Sequence, residues 1–346
     1  MYDIIIIGAG PAGATLARLI AAQKKVLLID KKKNNEKCCG GLIAPDAQKI
    51  LASFDIGIPK DVVADPQLFY VRSIDLETKR EQKYQRHYTN INRKLFDEYT
   101  LKILPKNVTY KNDVMYLNHK ETDTGVTVQL IKNGKTFEEK CSLLVGADGA
   151  YSRVRLNLYN DFKKLRKYIA IQGEYKKNSD INHYAVFFDR TLTDFYSWLI
   201  PKDDRVLIGG AFKEKNNPKN RFDSLISKIT GSYYKTGKCL STDACYILKP
   251  RLKDIKNGND RIFLIGEAAG YISPSSSEGF SYAYKSAIAL SKAILKNSNR
   301  IKANYKKNTK SLRLNIFIKN LKAIVMYNKN LRNLIFMTKI SSLKKL

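Results

Sequence analysis

Carboxylates are scarce in this chain. Against 62 Lys and Arg there are only 32 Asp and Glu, giving a formal net charge of +30. Glu278 is the last acidic residue, and Gly279 to Leu346 holds lysines and arginines alone. Such an imbalance gives either a solvated basic surface or attraction to an anionic partner. A phospholipid surface or a phosphorylated substrate fits better than nucleic acid, because no nucleic-acid recognition motif accompanies the charge. Cysteine and histidine are also sparse. Cys38, Cys39, Cys141, Cys239 and Cys245 show no CxxC spacing, and the three histidines form no His-rich segment. That argues against a zinc site or a disulfide framework, so no metal is expected. No apolar run approaches the length that spans a bilayer. A strand begins at Tyr2, so no signal peptide is expected and the chain reads as cytoplasmic. Its 346 residues suffice for about two domains.

What is present begins at once. Tyr2-Asp3-Ile4-Ile5-Ile6-Ile7 reads as a strand, Gly8-Ala9-Gly10-Pro11-Ala12-Gly13 as a turn, and Ala14 to Gln23 as a helix. A second apolar run, Val26 to Ile29, ends in Asp30 and Lys31. This is a complete dinucleotide-binding βαβ unit. Gly8 serves the tight turn, Gly10 lets backbone approach a pyrophosphate, and Gly13 lets helix and strand pack closely. The helix start offers N–H groups to phosphate, and Asp30 stands where a carboxylate accepts from ribose hydroxyls. Pro11, Ala12 and Lys31 complete the candidate binding segment.

Further on, the pattern interleaves. Ala47 to Phe54 reads as a helix, Leu68 to Leu76 as a strand, and Asn92 to Leu104 as a helix with Leu95, Phe96, Tyr99 and Ile103 on one face. Asn133-Gly134 between apolar runs signals a hairpin. From Tyr168 to Phe212 strands dominate. The expected fold is α/β. Residues 1–160 and 255–300 would form a discontinuous Rossmann-type domain, with part of 45–90 facing the substrate. Residues 161–254 would form an inserted antiparallel-sheet substrate domain, and 301–346 a basic helical tail. In that tail Leu314, Phe317, Ile318, Leu321, Ile324, Val325 and Leu331 recur at helical spacing. The stripe is expected to pack on the body of the protein, leaving a basic face for lipid headgroups.

Two later segments specify the nucleotide. Ser142 to Arg155 is a strand ending in Gly146-Ala147-Asp148-Gly149. Arg261 to Gly270 is a strand ending in Gly266-Glu267, followed by Glu278-Gly279-Phe280 at a helix start. These segments resemble the second and third FAD motifs of the flavoproteins that include aromatic-ring hydroxylases, flavin halogenases and geranylgeranyl reductases. The resemblance implies FAD as cofactor, bound by Asp148 and Gly149, with Gly266 and Glu267 toward its ribityl or pyrophosphate region and Gly279 and Phe280 toward the flavin. Glu267 replaces the usual Asp. Asn92-Arg93 with Phe96-Asp97 matches the family's Arg-bearing helix start, which implies that Arg93 touches the cofactor. Only one dinucleotide fingerprint is present, so reducing power comes from a visiting NAD(P)H or a ferredoxin-like carrier.

Cys38-Cys39-Gly40-Gly41-Leu42-Ile43-Ala44-Pro45 resembles the Cys-Gly loop of geranylgeranyl reductases, and Thr193 to Pro201 their Pro-x-x-Tyr-x-Trp-x-Phe-Pro motif. Gly40 to Gln48, Asn90 to Asp97, Phe263 to Ala283 and Ser311 to Ile318 are similar to the CbrA branch of that group. The resemblance implies a reductase acting on C=C bonds of an isoprenoid, polyprenyl or other apolar lipid-like substrate, working in the cytoplasm or peripherally at a membrane. Tyr196 and Trp198 share one strand face and are the expected substrate lining; ordinary sheet packing is the competing reading. Cys39, Gly40 and Gly41 are expected to touch the cofactor, and Cys39 is either a proton donor beside the flavin or a small buried residue. The remaining alternatives are a flavin monooxygenase or halogenase, and a flavin-containing lipid-binding protein without turnover.

Overall fold

A computed structural model describes residues 1–31, 38–296 and 300–338. The segment 32–37 of the cysteine-glycine loop and the last residues of the basic tail lie outside them. Strands β1–β15 and helices α1–α9 are numbered along the chain. The architecture is mixed α/β, with two compact units and a helical C-terminal region.

The first unit comprises residues 1–31, 97–166, 248–296 and 300–319. β1 (Tyr2–Ile7) and β2 (Val26–Ile29) pair in parallel around α1 (Pro11–Ile20). Ile4 to Ile7 are all buried, the continuous apolar run of a strand covered on both faces. β6 (Val108–Lys111) pairs with β2 on one side. On the other side of β1 lies β9 (Lys135–Gly146), whose later half also receives β15 (Ile262–Leu264) in parallel. The earlier half of β9 turns back on β8 (Gly125–Lys132), which pairs with β7 (Met115–Thr122). Asn133 and Gly134, both at positive φ, make the predicted hairpin. α4 (Arg153–Tyr159), α6 (Phe280–Leu295) and α7 (Ile301–Asn308) complete the unit, with the buried side of α6 packed into one core with α1 and the sheet.

The second unit comprises residues 38–96, 167–247 and 320–338. Its sheet runs β14 (Thr236–Leu248), β10 (Lys167–Lys177), β13 (Arg205–Phe212), β12 (Ser197–Lys202), β11 (Tyr184–Phe188), β4 (Leu68–Asp75), β5 (Arg80–Asn90) and β3 (Leu42–Ile43). α2 (Pro45–Ala52), α5 (Pro218–Ser232) and α9 (Lys329–Thr338) belong here too. Alternation along the strands gives two apolar faces. Trp198 and Ile200 lie in one core, while Leu199 and Ile208 lie in the other. α3 (Arg93–Lys102) and α8 (Lys310–Tyr327) each begin in one unit and end in the other.

The division of the chain differs from the sequence expectation in two places. Residues 38–96 fall with the second unit's sheet rather than with residues 1–160. The cause is strand pairing: β4 runs parallel to β11 and antiparallel to β5, which commits the whole segment to that sheet. The tail is likewise divided within α8. Leu312 and Ile316 pack in the first unit's core, and Ala323 and Tyr327 in the second's.

The tail also corrects the expected packing. The face buried by α8 is Leu312, Ile316, Ala323 and Tyr327, spaced by fours and sevens. The stripe read from the sequence faces outward, with Leu314, Phe317, Ile318, Leu321 and Ile324 all exposed. This helix has two apolar faces, and sequence periodicity cannot say which one the body covers. α9 is fixed by Arg332, buried against the equally buried Asp75, with Nε 2.8 Å from its Oδ2.

Candidate functional site: a dinucleotide cradle and a cysteine-aromatic face

In the first unit three separate motifs converge. Gly8 adopts φ +103°, and a Cβ there would lie 2.5 Å from Ala147 O, so the first and second motifs touch backbone to backbone. Ala147 N donates to Ile7 O at 2.7 Å and Gly8 N to Ile29 O at 2.7 Å, which fixes the turn between its neighbouring strands. Gly266 stands against Ala12, at the start of α1, and its N–H donates to Ser286 Oγ on α6 at 2.9 Å. Asp30 Oδ2 accepts from Ala9 N at 2.9 Å, placing the carboxylate at the end of β2 directly beside the glycine turn. Lys31 follows, exposed.

The fit of a dinucleotide can be tested on this geometry. A Cβ on Gly10 would meet nothing within 4 Å, and neither would one on Gly149, so both turns present open space. The start of α1 has no side-chain cap and carries Pro11 in its first turn, leaving its N–H groups to a ligand. Ser277, in the turn before Gly279 and at φ +50°, buries a hydroxyl with no hydrogen-bond partner among the described residues. These features fit a group carrying phosphates and hydrogen-bonding edges.

The acidic residues of the later motifs also act within the protein. Asp148 Oδ1 accepts from the Ser152 hydroxyl at 2.6 Å, and Oδ2 from Arg153 N at 2.8 Å. Burial pushes its carboxyl above the usual carboxylate range, against the lowering pull of those hydrogen bonds. Asp148 thus organises the turn and the start of α4. Glu267 Oε1 accepts from Leu248 N at 2.9 Å. At the start of α6, Glu278 accepts from Ser281 N at 2.8 Å, beside Gly279 and the buried Phe280. A carboxylate of the chain therefore already meets the positive end of that helix.

In the second unit the structure joins the cysteine-glycine loop to the aromatic strand. Trp198, Ile200 and Lys202 alternate along β12 and share one face. A Cβ on Gly40 would overlap Ile200 Cδ1, so the loop lies in contact with that face. Lys202 Nζ donates to Gly41 O at 3.1 Å, to Ile91 O at 2.6 Å and to Asn90 Oδ1 at 2.5 Å. Three acceptors match the three protons of an ammonium. Burial, opposed by the nearby Cys39 and Asp203, pushes that ammonium down to about 7. Asn90 in turn donates to Pro201 O at 2.9 Å, closing the network. Arg93 Nη1 approaches Cys39 Sγ at 3.2 Å.

Further along the same face, the rings of Tyr196 and Trp198 lie 5.7 Å apart, each 9% exposed. Trp198 Nε1 donates to Gln172 Oε1 at 3.0 Å. A Cβ on Gly209 would stand 2.6 Å from the indole, so this glycine gives the ring its bed. Phe195, Tyr168, Tyr184 and Tyr327 extend the aromatic patch, and burial raises the phenols of Tyr184 and Tyr327 well above their ordinary value.

Known proteins resemble this chain in sequence and in fold. A family described as "FAD binding domain" matches residues 71–300. Protein CbrA from Escherichia coli O6:H1 is 38% identical over 351 residues, covering 100% of this chain and 95% of that protein. The chain belongs to the CbrA family of FAD-binding proteins. Among solved structures, a geranylgeranyl bacteriochlorophyll reductase-like protein from Thermoplasma acidophilum superposes with a TM-score of 0.83 at 19% identity, covering 99% of this chain and 92% of its own. The flavin-dependent brominase Bmp2 gives 0.73 at 18% identity, covering 97% and 92%. At those identities the likeness is one of fold.

Within this CbrA-family chain, sequence reading missed Lys202, Asn90, Gln172, Gly209 and Ser277. A signal existed for Lys202 alone: counting by twos from Trp198 places it on the ring-bearing face. Among the described residues no group of His, Cys, Asp and Glu is arranged to hold a metal ion. No helix there is long and apolar enough to cross a membrane.

Proposed function

We propose that this FAD-dependent protein reduces C=C bonds of an isoprenoid, polyprenyl or other apolar lipid-like substrate. The observation that carries the reading is the contact of the Cys39-Gly40-Gly41 loop with the strand of Trp198. Gly40 meets Ile200 and Gly41 meets Lys202, so a cysteine-bearing loop lies on the face of the strand that carries Trp198, 159 positions from Cys39.

When bound, FAD supplies the hydride; a visiting NAD(P)H or a ferredoxin-like carrier replenishes it. The chain's part is to hold the substrate, keep out water and provide a proton. Gly8 to Gly13, Asp30, Lys31, Arg93, Asp148, Gly149, Gly266, Glu267, Gly279 and Phe280 are the cofactor-holding set. Trp198 and Tyr196 hold the apolar chain, with the Tyr196 hydroxyl as polar handle. Cys39 gives its thiol proton to the carbon opposite the one that takes hydride. Arg93, 3.2 Å from that sulfur, faces the charge left behind.

The test is product analysis. Turnover with a polyprenyl lipid should add one hydride and one proton per double bond, and Cys39→Ala should retain FAD while slowing product formation by roughly 10²-fold. An oxygenated or halogenated product would assign the chain to monooxygenases or halogenases. No product from any lipid, with Cys39→Ala fully active in cells, would make it a flavin-containing lipid-binding protein.

A further inference from the structure

We propose that the outward face of α8 docks this protein onto an anionic phospholipid surface. Leu314, Phe317, Ile318, Leu321 and Ile324 follow one another at intervals of three, one, three and three residues, which keeps them on one side of the helix. They are 60%, 47%, 52%, 51% and 63% exposed. A scattered exposed leucine is ordinary, but five large apolar side chains on one helix face mark an interaction surface. The opposite side of the same helix is already buried through Leu312, Ile316, Ala323 and Tyr327, so packing on the body does not use this stripe.

The charge around the stripe selects its occupant. Lys306, Lys307, Lys310 and Lys322 are exposed on α7 and α8, and no Asp or Glu follows Glu278 anywhere in the sequence. A second copy of this chain, also at +30, would repel it. Nucleic acid supplies the negative charge but nothing to receive five apolar side chains. A bilayer rich in anionic headgroups supplies both: acyl chains for the stripe, and phosphates for the exposed lysines of α7 and α8. On α9, Leu334 and Met337 are also exposed, at 55% and 61%. The inference stands on the helix alone and does not need the reductase reading.

The experiment is flotation of the full-length FAD-loaded protein with vesicles of phosphatidylcholine, with and without phosphatidylglycerol. The wild type should float with the phosphatidylglycerol vesicles and be released by salt. Leu314→Ser/Phe317→Ser/Leu321→Ser, all at exposed positions, should keep the FAD content and lose binding by roughly tenfold or more. Lys306→Glu/Lys310→Glu/Lys322→Glu should abolish the preference for the anionic lipid. Flotation of the serine variant at wild-type strength overturns the proposal, as does absence of wild-type binding. A wild-type dimer that the serine variant dissolves, with no vesicle binding, also overturns it and makes the face a contact between copies.

Discussion

Lys202 Nζ donates to the carbonyl of Gly41, 161 residues earlier in the sequence, at a distance of 3.1 Å. This contact holds the cysteine-glycine loop on the strand of Trp198. It is also a buried ammonium among neutral oxygens, whose charge is favoured by three hydrogen bonds and opposed by desolvation. Replacing Lys202 by Met removes the donor of Asn90 Oδ1 and Ile91 O, while Gly41 O keeps Ile91 N. A loss of about 2–5 kcal/mol is expected by denaturant unfolding. Lipid-dependent turnover should fall more than FAD content, because the loop belongs to the second unit, the proposed substrate side.

The same residue sets a pH dependence. Its folded value of about 7 lies below its ordinary 10.5, so between these the unfolded chain binds the extra proton. The Lys202 contribution to stability therefore rises with pH across that window, by at most about 1.4 kcal/mol per unit, and is flat below it. The difference in unfolding free energy between wild type and Lys202→Met, followed from pH 6 to 10 (roughly the window set by the shift), isolates this term. A difference that falls with pH contradicts the assignment.

Trp198 is the single tryptophan of the chain and so a private reporter of the aromatic face. Gly209→Ala would place a methyl 2.6 Å from the indole and displace it. A shifted emission maximum, a stability loss of about 1–3 kcal/mol and weakened lipid binding are expected, with FAD content retained. Unchanged emission would show that the ring does not rest on this glycine.

Gly8→Ala tests the cofactor cradle. Positive φ and the close carbonyl of Ala147 together leave no room for a methyl. Loss of bound FAD, read by flavin absorbance, should accompany a destabilisation of about 2–4 kcal/mol. Gly134→Ala, whose new methyl meets nothing, should keep its FAD.

Much of the first unit was legible because its signals are local. A strand, a glycine turn and an amphipathic helix follow one another within some thirty residues, and the two later motifs end strands of their own. The second unit was less so. Its strand β5, Arg-Glu-Gln-Lys-Tyr-Gln-Arg-His-Tyr-Thr-Asn, is mostly polar, and only pairing with β4 identifies it. Helix α5 and strand β14 likewise carry no motif. The Lys202–Asn90–Gly41 network depends on three distant segments meeting, which no local pattern encodes. The tail misled for a different reason: two apolar faces on α8 gave one periodic stripe priority over the face the body covers.

Arg332 provides a stability test remote from the proposed chemistry. Its guanidinium meets Asp75 at 2.8 Å and Phe188 at 5.1 Å, nearly excluded from water. Arg332→Met should cost about 3–5 kcal/mol by leaving the buried Asp75 carboxylate without its cation, and Asp75→Asn in the same chain, which keeps an acceptor for Glu77 N and Thr78 N, should recover part of it.

The central claim is that the cysteine loop and the Trp198 strand form a site where an apolar lipid accepts electrons. The most direct measurement is anaerobic reduction of the FAD-loaded protein, followed by mixing with a polyprenyl lipid while flavin absorbance is recorded. The account predicts reoxidation without oxygen, slowed by Cys39→Ala and by Trp198→Ala, with a hydrogenated lipid recovered in step. A reduced flavin that ignores the lipid and reoxidises only when oxygen is admitted would contradict it.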